Sequence, residues 1–193
     1  MLTGVYLATK KDKTVYYRSN ITNKGRHISL GSFPTEVQAH QAYTAACELL
    51  SGTETIDEAF YRTSQLAFEK IVSLINFRDN HMYIPTPIYL RKNYFSYYLN
   101  IHRELKFDID DLFYYSSHRI LTRQGHLYVN HYGMQLTLLG RYGIKTHAVN
   151  GRDFCFVNGD ENDFRYSNLK IINPYFGVER IDKNRTEHYK VRI

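Results

Sequence analysis

The sequence predicts an α+β protein, in which small antiparallel sheets and short helices follow one another along the chain. Residues 1–34 contain three short runs of β-forming residues separated by polar turns, and residues 35–52 then change to helical spacing. Beyond residue 84 the chain returns to short strand patterns, the last of which is a hairpin. We therefore expect an N-terminal three-stranded antiparallel sheet with one packed helix, a helical connector, a small ββα domain and a C-terminal β-hairpin.

Composition sets the first limits on function. The chain has 193 residues, of which 43% are hydrophobic, enough for one or two small domains with cores of their own. Two cysteines, Cys47 and Cys155, cannot build a disulfide framework, and no CxxC spacing indicates a zinc site. Because neither a signal peptide nor a window of ~20 apolar residues is present, we expect a soluble, cytoplasmic protein without a membrane partner and without a cofactor.

Charge is distributed unevenly along the chain, whose net charge is +6. Residues 1–34 carry six basic side chains and one acidic, residues 35–80 carry three basic and seven acidic, and the remainder carries 16 basic and 11 acidic. Two basic ends therefore flank an acidic middle. Basic patches attract the phosphates of nucleic acids, so this pattern favours an acidic partner.

The N-terminal sheet and its helix are predicted from local signals. Strands are expected at residues 5–8, 15–22 and 27–30, with the polar turns KKDK and NKG between them. Thr35 is an N-cap residue by type, Glu36 suits a first helical turn, and Gly52 is a helix stop. Small and apolar side chains at 3- and 4-residue spacing predict the face that packs on the sheet: Ala39, Ala42, Tyr43, Ala46 and Leu50.

Alternation along the strands assigns each side chain of this sheet to one of two faces. The face toward the helix is predicted to hold Tyr17, Ser19, Ile21, Ile28 and Leu30. The face away from the helix, here called the open face, is predicted to hold Tyr16, Arg18, Asn20, Thr22, His27 and Ser29. A small sheet can place such a face in the major groove of DNA, although polar residues also occupy a solvated sheet face.

Residues 4–52 carry a set of family motifs. Gly4-Val5 opens the first strand, Tyr17 and Ile21 form an aromatic-x-x-x-Ile pattern, and SLGSFPT precedes an alanine-rich helix. In these features the segment resembles the ethylene-response-factor, or Apetala-two, DNA-binding domain of plants, which bacterial and phage proteins also carry. The resemblance implies that the open face enters the major groove. The chain departs from the family at Tyr6, where Arg is usual, and at Ser29, where Trp is usual.

The expected DNA contacts come from the open face, from the turns that flank it and from the C-terminus. They are Tyr6, Lys10, Lys11, Lys13, Tyr16, Arg18, Asn20, Lys24, Arg26, His27, Ser29, Lys190 and Arg192. Arg, Asn and His side chains can donate to or accept from base edges, whereas the lysines of the turns suit phosphates. The expected partner is therefore double-stranded DNA.

The middle of the chain is predicted to join two domains. Residues 56–80 are expected to continue as one second helix with an apolar side, used as a connector or, alternatively, as a dimer contact. Two prolines in YIPTPIYL mark a boundary near residue 84. The Tyr-rich residues that follow predict a core rather than a base-stacking platform. Gln124-Gly125 predicts a hairpin turn, and the acids of residues 108–111 are attributed to a helix N-terminus rather than to a metal.

The stretch FCFVNGDENDFRYSNLKIIN, residues 154–173, matches a longer signature at seven positions in register. That signature runs Asp-His-x-Asn-Gly-Asp, two residues, Asp-Asn-Arg, two residues, Asn-Leu, and the matching residues are Asn158, Gly159, Asp160, Asp163, Arg165, Asn168 and Leu169. Residues 84–174 therefore resemble an HNH endonuclease domain. The retained residues are turn and cap formers by type, so they are expected to form the scaffold of the site.

The positions that differ from the HNH signature are those that carry the chemistry. In the family, the His at the position of Phe156 is the general base, and the Asp at the position of Cys155 helps to hold the metal. A Phe cannot accept a proton, and a thiol is a poor ligand for Mg²⁺. The resemblance therefore implies an HNH-like domain without catalytic residues and without a metal. His147 fits no family position and is expected to be a solvated or core histidine.

The last residues of the chain repeat the first. FGVERIDKNRTEHYKVRI aligns with residues 3–21 when one gap is allowed, so that Gly177-Val178 matches Gly4-Val5, Tyr189 matches Tyr17 and Lys190 matches Arg18. The repeat predicts the first two strands of a second Apetala-two-like unit, either part of a longer unit or a vestigial hairpin. A lone hairpin exposes an edge, so it is expected to pair with something.

These expectations divide the chain at residues 1–52, 53–83, 84–174 and 175–193. The favoured function is sequence-specific binding of double-stranded DNA by a nucleoid-associated transcriptional regulator, derived from an HNH endonuclease that no longer cuts. Two alternatives stay open: an active HNH nuclease that uses displaced residues or a partner subunit, and a protein-interaction module of phage or mobile-element origin. A homodimer and a complex with a partner protein also stay open.

Overall fold

The computed structural model describes residues 1–131, 134–183 and 186–191, and it confirms the predicted α+β class. Within those residues the chain divides into two compact units. The first comprises Met1–Leu90 with Asn100–Glu104, and the second comprises Arg91–Leu99 with the described residues from Leu105 onward. This division is coarser than the four expected segments, because the helical connector belongs to the first unit. No helix in the described ranges is long and apolar enough to cross a membrane.

The first unit begins with a three-stranded antiparallel sheet in the order β1-β2-β3, made of β1 (Val5–Thr9), β2 (Val15–Asn23) and β3 (Arg26–Phe33). Lys24 and Gly25 form the two-residue turn between β2 and β3, with φ of 46° and 74°. Both central residues of a type I′ hairpin turn need positive φ, which Gly adopts without cost. The hairpin predicted at NKG is therefore confirmed.

Helix α1 (Glu36–Ser51) covers one face of this sheet. Its N-cap is Thr35, whose hydroxyl accepts from Gln38 N at 3.2 Å, and its C-cap is Gly52, as the sequence predicted. The fully buried positions of the helix include Ala39, Ala42, Ala46 and Leu49, and the sheet residues buried beneath it include Ser19, Ile21, Ile28 and Leu30. The prediction that Leu50 lies on this face is wrong. Leu50 is half-buried, because the next buried residue after Ala46 is Leu49, three positions on, and not Leu50, four positions on.

The connector forms two helices rather than one, so the prediction of a single helix is wrong. Helix α2 (Ile56–Arg62) begins with a capping box between Thr55 and Glu58, and helix α3 (Phe68–Asn80) starts after a bend. Thr63 ends α2 in an extended conformation, and Leu66 of the bend is buried. Thr and Ser side chains compete for backbone hydrogen bonds and favour helix ends, so the TS pair that follows Arg62 permits the break.

The remaining elements, in chain order, are β4 (Ile88–Leu90), β5 (Tyr94–Asn100), β6 (Arg103–Asp108), α4 (Leu112–Ser117), β7 (Ile120–Arg123), β8 (His126–His131), β9 (Met134–Thr137), β10 (Phe154–Phe156), β11 (Leu169–Ile171), β12 (Val178–Lys183) and β13 (Thr186–Val191). Strands β7-β8-β9 form one antiparallel sheet, while β10-β11 and β12-β13 are two-stranded. Gln124 and Gly125, with φ of 50° and 80°, make the predicted turn between β7 and β8.

The core of the second unit is aromatic. Phe95, Tyr97, Phe107 and Tyr115 are each at most 2% exposed, and the ring centroids of Phe107 and Tyr115 lie 4.3 Å apart. The hydroxyl of Tyr97 accepts from Ile120 N at 3.0 Å, which satisfies its polar end inside the core. These four side chains of the Tyr-rich stretch are therefore core, as predicted.

The acids of residues 108–111 lie at the start of α4. Asp111 is the last residue of a 3-10 turn over Ile109–Asp111 and the N-cap residue of this helix, and it is buried. Its Oδ1 accepts from Arg141 Nη2 at 2.9 Å, and the Arg141 guanidinium lies 3.5 Å from the centroid of the Tyr114 ring. The Asp111 carboxylate therefore forms an ion pair with Arg141, and it makes no capping hydrogen bond to α4.

Gly4 offers a test of the packing of α1 on the sheet. Its φ is +76°, and a Cβ added there would overlap the ring of Tyr43 on α1. Gly4→Ala should therefore lower the free energy of unfolding by about 2–4 kcal/mol, from left-handed strain plus overpacking. Gly25→Ala is the matched control, because its φ is +74° with open space around the new Cβ, and it should cost about 1–2 kcal/mol. Equal losses in urea unfolding would contradict the contact with Tyr43.

Candidate nucleic-acid interface

The open face forms around the middle strand of the N-terminal sheet. Arg18 is exposed on β2, and it lies opposite Tyr6 of β1 and Ser32 of β3. Tyr6 is 52% exposed although it is a large aromatic residue. The structure therefore brings Tyr6 and Arg18 into one row across the sheet, with the guanidinium at its centre.

Ser32 belongs to this row, and sequence reasoning missed it. The register between β2 and β3 shifts between Ser19 and Asn20, so that Ser19 lies opposite Gly31 while Asn20 lies opposite Ser29. Such a bulge inserts one extra residue and reverses the alternation beyond it. Gly31, with φ of +137°, was the available signal, because an isolated Gly inside a strand often marks a bulge.

Tyr16 holds Arg18 in place. Both side chains leave the same face of β2, and the Tyr16 hydroxyl accepts from Arg18 Nη2 at 2.8 Å and from Nε at 3.2 Å. The guanidinium carbon lies 5.5 Å from the centroid of the Tyr16 ring. Two donors to one oxygen fix the plane of the guanidinium as well as its position.

The other end of the open face is polar and ordered. Asn20 lies opposite Ser29, and its backbone N–H donates to Gly4 O at 3.0 Å. Thr22 lies opposite His27, and Thr22 Oγ1 is 3.3 Å from His27 Nδ1. The face predicted from alternation is thus present from Tyr16 to His27, with the addition of Ser32.

The turn between β1 and β2 carries three exposed lysines, Lys10, Lys11 and Lys13. Asp12 stands among them, and its Oδ1 accepts from Thr14 N at 3.0 Å. This backbone hydrogen bond holds the pKa of Asp12 below its ordinary value. The acid therefore shapes the turn, while the three ammonium groups are exposed at one end of the open face.

Lys24 and Arg26 do not join the open face. Lys24 Nζ donates to His81 Nδ1 at 3.0 Å, just beyond the C-terminus of α3. The Arg26 guanidinium lies over the Tyr83 ring, 5.6 Å from its centroid. Arg26 has the same parity along β3 as the buried Ile28, which places it on the side of the sheet that the helices cover.

In the second unit, the residues that match the predicted signature build a hydrogen-bonded loop between β10 and β11. Asp163 is fully buried, and its carboxylate accepts from Arg165 Nε at 2.8 Å, Arg165 Nη2 at 2.6 Å and Asn158 Nδ2 at 3.0 Å. Asn168 Oδ1 accepts from Asn158 N at 2.7 Å, and Asn168 Nδ2 donates to Asp163 O at 2.8 Å. Gly159, with φ of +77°, turns the chain. These residues thus form turns and hydrogen bonds within the loop, as their types predict.

Two carboxylates of this loop are held in the ionised form. Burial works against ionisation of Asp163, yet the hydrogen bonds from Arg165 and Asn158 outweigh it and lower the pKa of Asp163. Asp160 Oδ2 accepts from Lys106 Nζ at 2.9 Å, and this bond, with one from Asn162 N, lowers the pKa of Asp160. Lys106 is 54 residues distant in sequence, and no local pattern indicates its part in the loop.

The residues at the catalytic positions of the HNH signature are packed or paired within strands. Phe156 lies on β10 with its ring centroid 5.8 Å from that of Phe164, edge to face. Cys155 lies opposite Lys170. His147 is exposed and its Nε2 is 3.1 Å from Phe176 O, as expected for a solvated histidine. Among the described residues, no group of three or more His, Cys, Asp or Glu is placed to hold a metal ion.

The C-terminal hairpin has the register of the N-terminal one. Val5 lies opposite Ser19 and Tyr6 opposite Arg18; correspondingly, Val178 lies opposite Val191 and Glu179 opposite Lys190. With the one-residue gap of the sequence repeat, all five cross-strand pairs of β1-β2 have a counterpart in β12-β13. The entry turns also agree, because Val5 N donates to Leu2 O at 3.2 Å and Val178 N to Tyr175 O at 2.9 Å. The gap therefore falls in the turn between the strands.

The side chains of the two hairpins differ in charge. Lys190 is exposed on β13 but lies opposite Glu179, where its counterpart Arg18 lies opposite Tyr6. Arg180 is paired with Asp182 and Glu187. Arg192, the second predicted C-terminal contact, lies outside the described residues.

No protein-family model, curated protein or solved structure matches this chain. The candidate interface is therefore defined by its own geometry: a row of Tyr6, Arg18 and Ser32 across the sheet, and a lysine-bearing turn at one end of the face.

The depressed pKa of Asp163 predicts how the free energy of unfolding depends on pH. Asp163→Asn should lower the free energy of unfolding at pH 7 by about 2–3 kcal/mol, the scale of lost hydrogen bonds to a charged group. Because the pKa of Asp163 is depressed in the folded state, its contribution is complete above the ordinary carboxyl pKa and is lost as pH falls through the lower folded value. The gap between variant and parent should therefore stay constant down to about pH 4 and narrow below it.

Urea unfolding followed by circular dichroism measures this gap. Asp182→Asn is the control, because its carboxylate is 67% exposed, and the change should stay within about 0.5 kcal/mol. A gap for Asp163→Asn that is the same at pH 7 and at the acid end would contradict the depressed pKa.

Proposed function

We propose that this protein is a sequence-specific double-stranded-DNA-binding protein, a transcriptional regulator of Apetala-two type whose second domain derives from an HNH endonuclease that has lost catalysis. In this proposal the open face of the N-terminal sheet enters the major groove and reads base edges. The lysines of the β1–β2 turn contact phosphates beside it. The protein acts in the cytoplasm, associated with the nucleoid.

The observation that carries the proposal is the state of Arg18. It is exposed on the middle strand of the sheet, on the face opposite helix α1, among side chains able to donate to or accept from bases. Solvation of the sheet face does not require a fixed orientation of Arg18. The two hydrogen bonds to the Tyr16 hydroxyl nevertheless fix the plane of its guanidinium. Arginine side chains that present paired donors are the commonest readers of the major groove.

The charge at one end of the face supports the same reading. Lys10, Lys11 and Lys13 are exposed on the turn next to the open face, and the single acid among them, Asp12, is bonded to the turn backbone. A basic turn beside a polar sheet face suits DNA binding in which contacts to phosphates position the sheet and contacts to bases determine the sequence that is bound.

The second unit is proposed to contribute binding without hydrolysis. At the position where the HNH family has its general base, Phe156 packs edge to face on Phe164, and no proton acceptor is available from that ring. The loop around Asp163 keeps its hydrogen bonds, which supports a retained fold that contacts the DNA backbone. The C-terminal hairpin, with Lys190, is proposed as a further backbone contact.

Substitution of Arg18 tests base reading. Arg18→Ala should weaken binding to a duplex selected from random DNA by about 1–3 kcal/mol and leave non-specific binding nearly unchanged, since one good base contact is lost. Arg62→Ala is the matched control, because Arg62 is also a partly exposed arginine of the first unit but pairs with Glu48 and Glu54 on the helix side. Titration by fluorescence anisotropy measures both affinities.

Lys11→Ala gives the contrasting outcome for a phosphate contact. Its affinity should fall about equally for selected and unselected duplexes, and the slope of log K against log salt should flatten by about 1. The proposal fails if neither Arg18→Ala nor Lys11→Ala changes DNA affinity while thermal unfolding is unchanged, which would favour a protein-interaction module instead.

Incubation with the target duplex tests whether catalysis is lost. The purified protein with Mg²⁺ or Mn²⁺ should leave supercoiled and linear DNA intact, as in a parallel reaction with a chelator, because loss of a general base alone costs ~10²–10⁴ in rate. Metal-dependent cleavage that is abolished by His147→Ala or by Asp160→Ala would overturn this part of the proposal. The protein would then be an HNH nuclease that uses displaced residues.

A further inference from the structure

We infer that Tyr16 is a positioning residue for Arg18, and that the pair selects a guanine at the centre of the DNA site. The inference rests on the proposed function, because it assumes that the open face meets base edges. Beyond the proposed function, Tyr16 is assigned as the residue that orients Arg18, and guanine as the base that Arg18 contacts.

The guanidinium of Arg18 is held by two hydrogen bonds to one side chain. Nε and Nη2 of Arg18 both donate to the single oxygen of Tyr16, at 3.2 and 2.8 Å. A side chain bonded through one nitrogen can still rotate about that bond, whereas two donors to one oxygen restrict the rotation. The Tyr16 ring is itself half-buried on the sheet, so the hydroxyl is offered from a fixed place.

The two hydrogen bonds to Tyr16 leave the far edge of the Arg18 guanidinium free to bind another group. Nη1 of Arg18 has no acceptor among the described residues, and the remaining hydrogen of Nη2 lies on the same end of the guanidinium. One hydrogen on Nη1 and the remaining hydrogen on Nη2 point in parallel and can act as paired donors. They match two neighbouring acceptors, which in the major groove are O6 and N7 of guanine.

The position of Arg18 places this edge at the centre of the contact. Arg18 lies on the middle strand, with Tyr6 on one side and Ser32 on the other, so its row spans the sheet. An arginine constrained before binding loses less side-chain entropy when it meets the base than an unconstrained one. Discrimination against other bases also improves, because a fixed fork cannot turn to a base with a single acceptor.

The C-terminal hairpin provides an internal comparison. In the shared register, the counterparts of Tyr16 and Arg18 are His188 and Lys190, and Lys190 lies opposite Glu179. A lysine has no planar fork, so the second hairpin lacks the parts of this device. The tyrosine–arginine pair is therefore a feature of the N-terminal sheet and not of the repeated backbone.

The experiment compares Tyr16→Phe with Tyr17→Phe in the full chain. Tyr16→Phe removes the accepting hydroxyl and keeps the ring, while Tyr17→Phe makes the same change on the neighbouring residue, whose side chain lies on the other face. For a duplex selected from random DNA, Tyr16→Phe should lower affinity by about 3- to 10-fold, the range for one hydrogen-bonded contact, with no change for a random-sequence duplex. Tyr17→Phe should leave both affinities unchanged.

Two further measurements separate this role from a structural one. In an Arg18→Ala background, Tyr16→Phe should have no additional effect, because the residue acts through Arg18. Site selection repeated with Tyr16→Phe should lose the preference for guanine at one position and keep it elsewhere, and thermal unfolding should match the parent.

The outcomes distinguish this inference from the proposed function. Loss of specific binding with Arg18→Ala but not with Tyr16→Phe overturns the positioning role and leaves the proposed function standing. An equal loss on selected and random duplexes with Tyr16→Phe also overturns it, because the hydroxyl would then contact DNA itself. No effect of either substitution on DNA binding removes the proposed function and the inference together.

Discussion

Helix α1 can lie on only one face of the three-stranded sheet, and its alanines let it lie close enough to exclude water from that face. Ala39, Ala42 and Ala46 are fully buried against a sheet surface of small and branched side chains. Close approach also fixes Gly4, since any side chain there would enter the ring of Tyr43. The opposite face carries the side chains that alternate away from α1, and Tyr6, Arg18 and His27 among them are exposed. The placement of Arg18 follows from that one-sided packing.

The loop between β10 and β11 is held together by hydrogen bonds that contribute to stability independently of any activity. Asp163 and Asn168 bond backbone and side-chain groups of the loop, and the buried carbonyl of Asp163 takes its hydrogen bond from Asn168. A buried carbonyl without a partner is costly whatever the activity of the protein. Phe156 contributes packing, because its ring meets that of Phe164 edge to face. Stability therefore constrains Asp163 and Asn168 whatever the protein does.

Much of the first unit was predictable from sequence, because turns, caps and alternation are local signals. The strands, the cap at Thr35 and the stop at Gly52 all depend on residues within a few positions. The errors arose where a tertiary choice decided between local options. Leu49 and Leu50 fit a helical face equally well until the sheet selects one, and Thr63 breaks a helix whose apolar pattern continues past it. Ser32 was missed because the bulge reverses the alternation, and Lys106 because the contact with Asp160 spans 54 residues.

The two hairpins share a register but not their side chains, and the reason lies in what sets the register. A β-ladder is made of backbone groups, so cross-strand pairing and the entry turn at Gly4 or Gly177 are nearly independent of the residues carried outside. Tyr6–Arg18 and Glu179–Lys190 are therefore two different cross-strand pairs at the same register position. A hairpin of this kind can exchange an aromatic–cation pair for an ion pair and keep its shape. The chain thus holds one backbone template twice, and its outer rows are free to diverge in chemistry without loss of the fold.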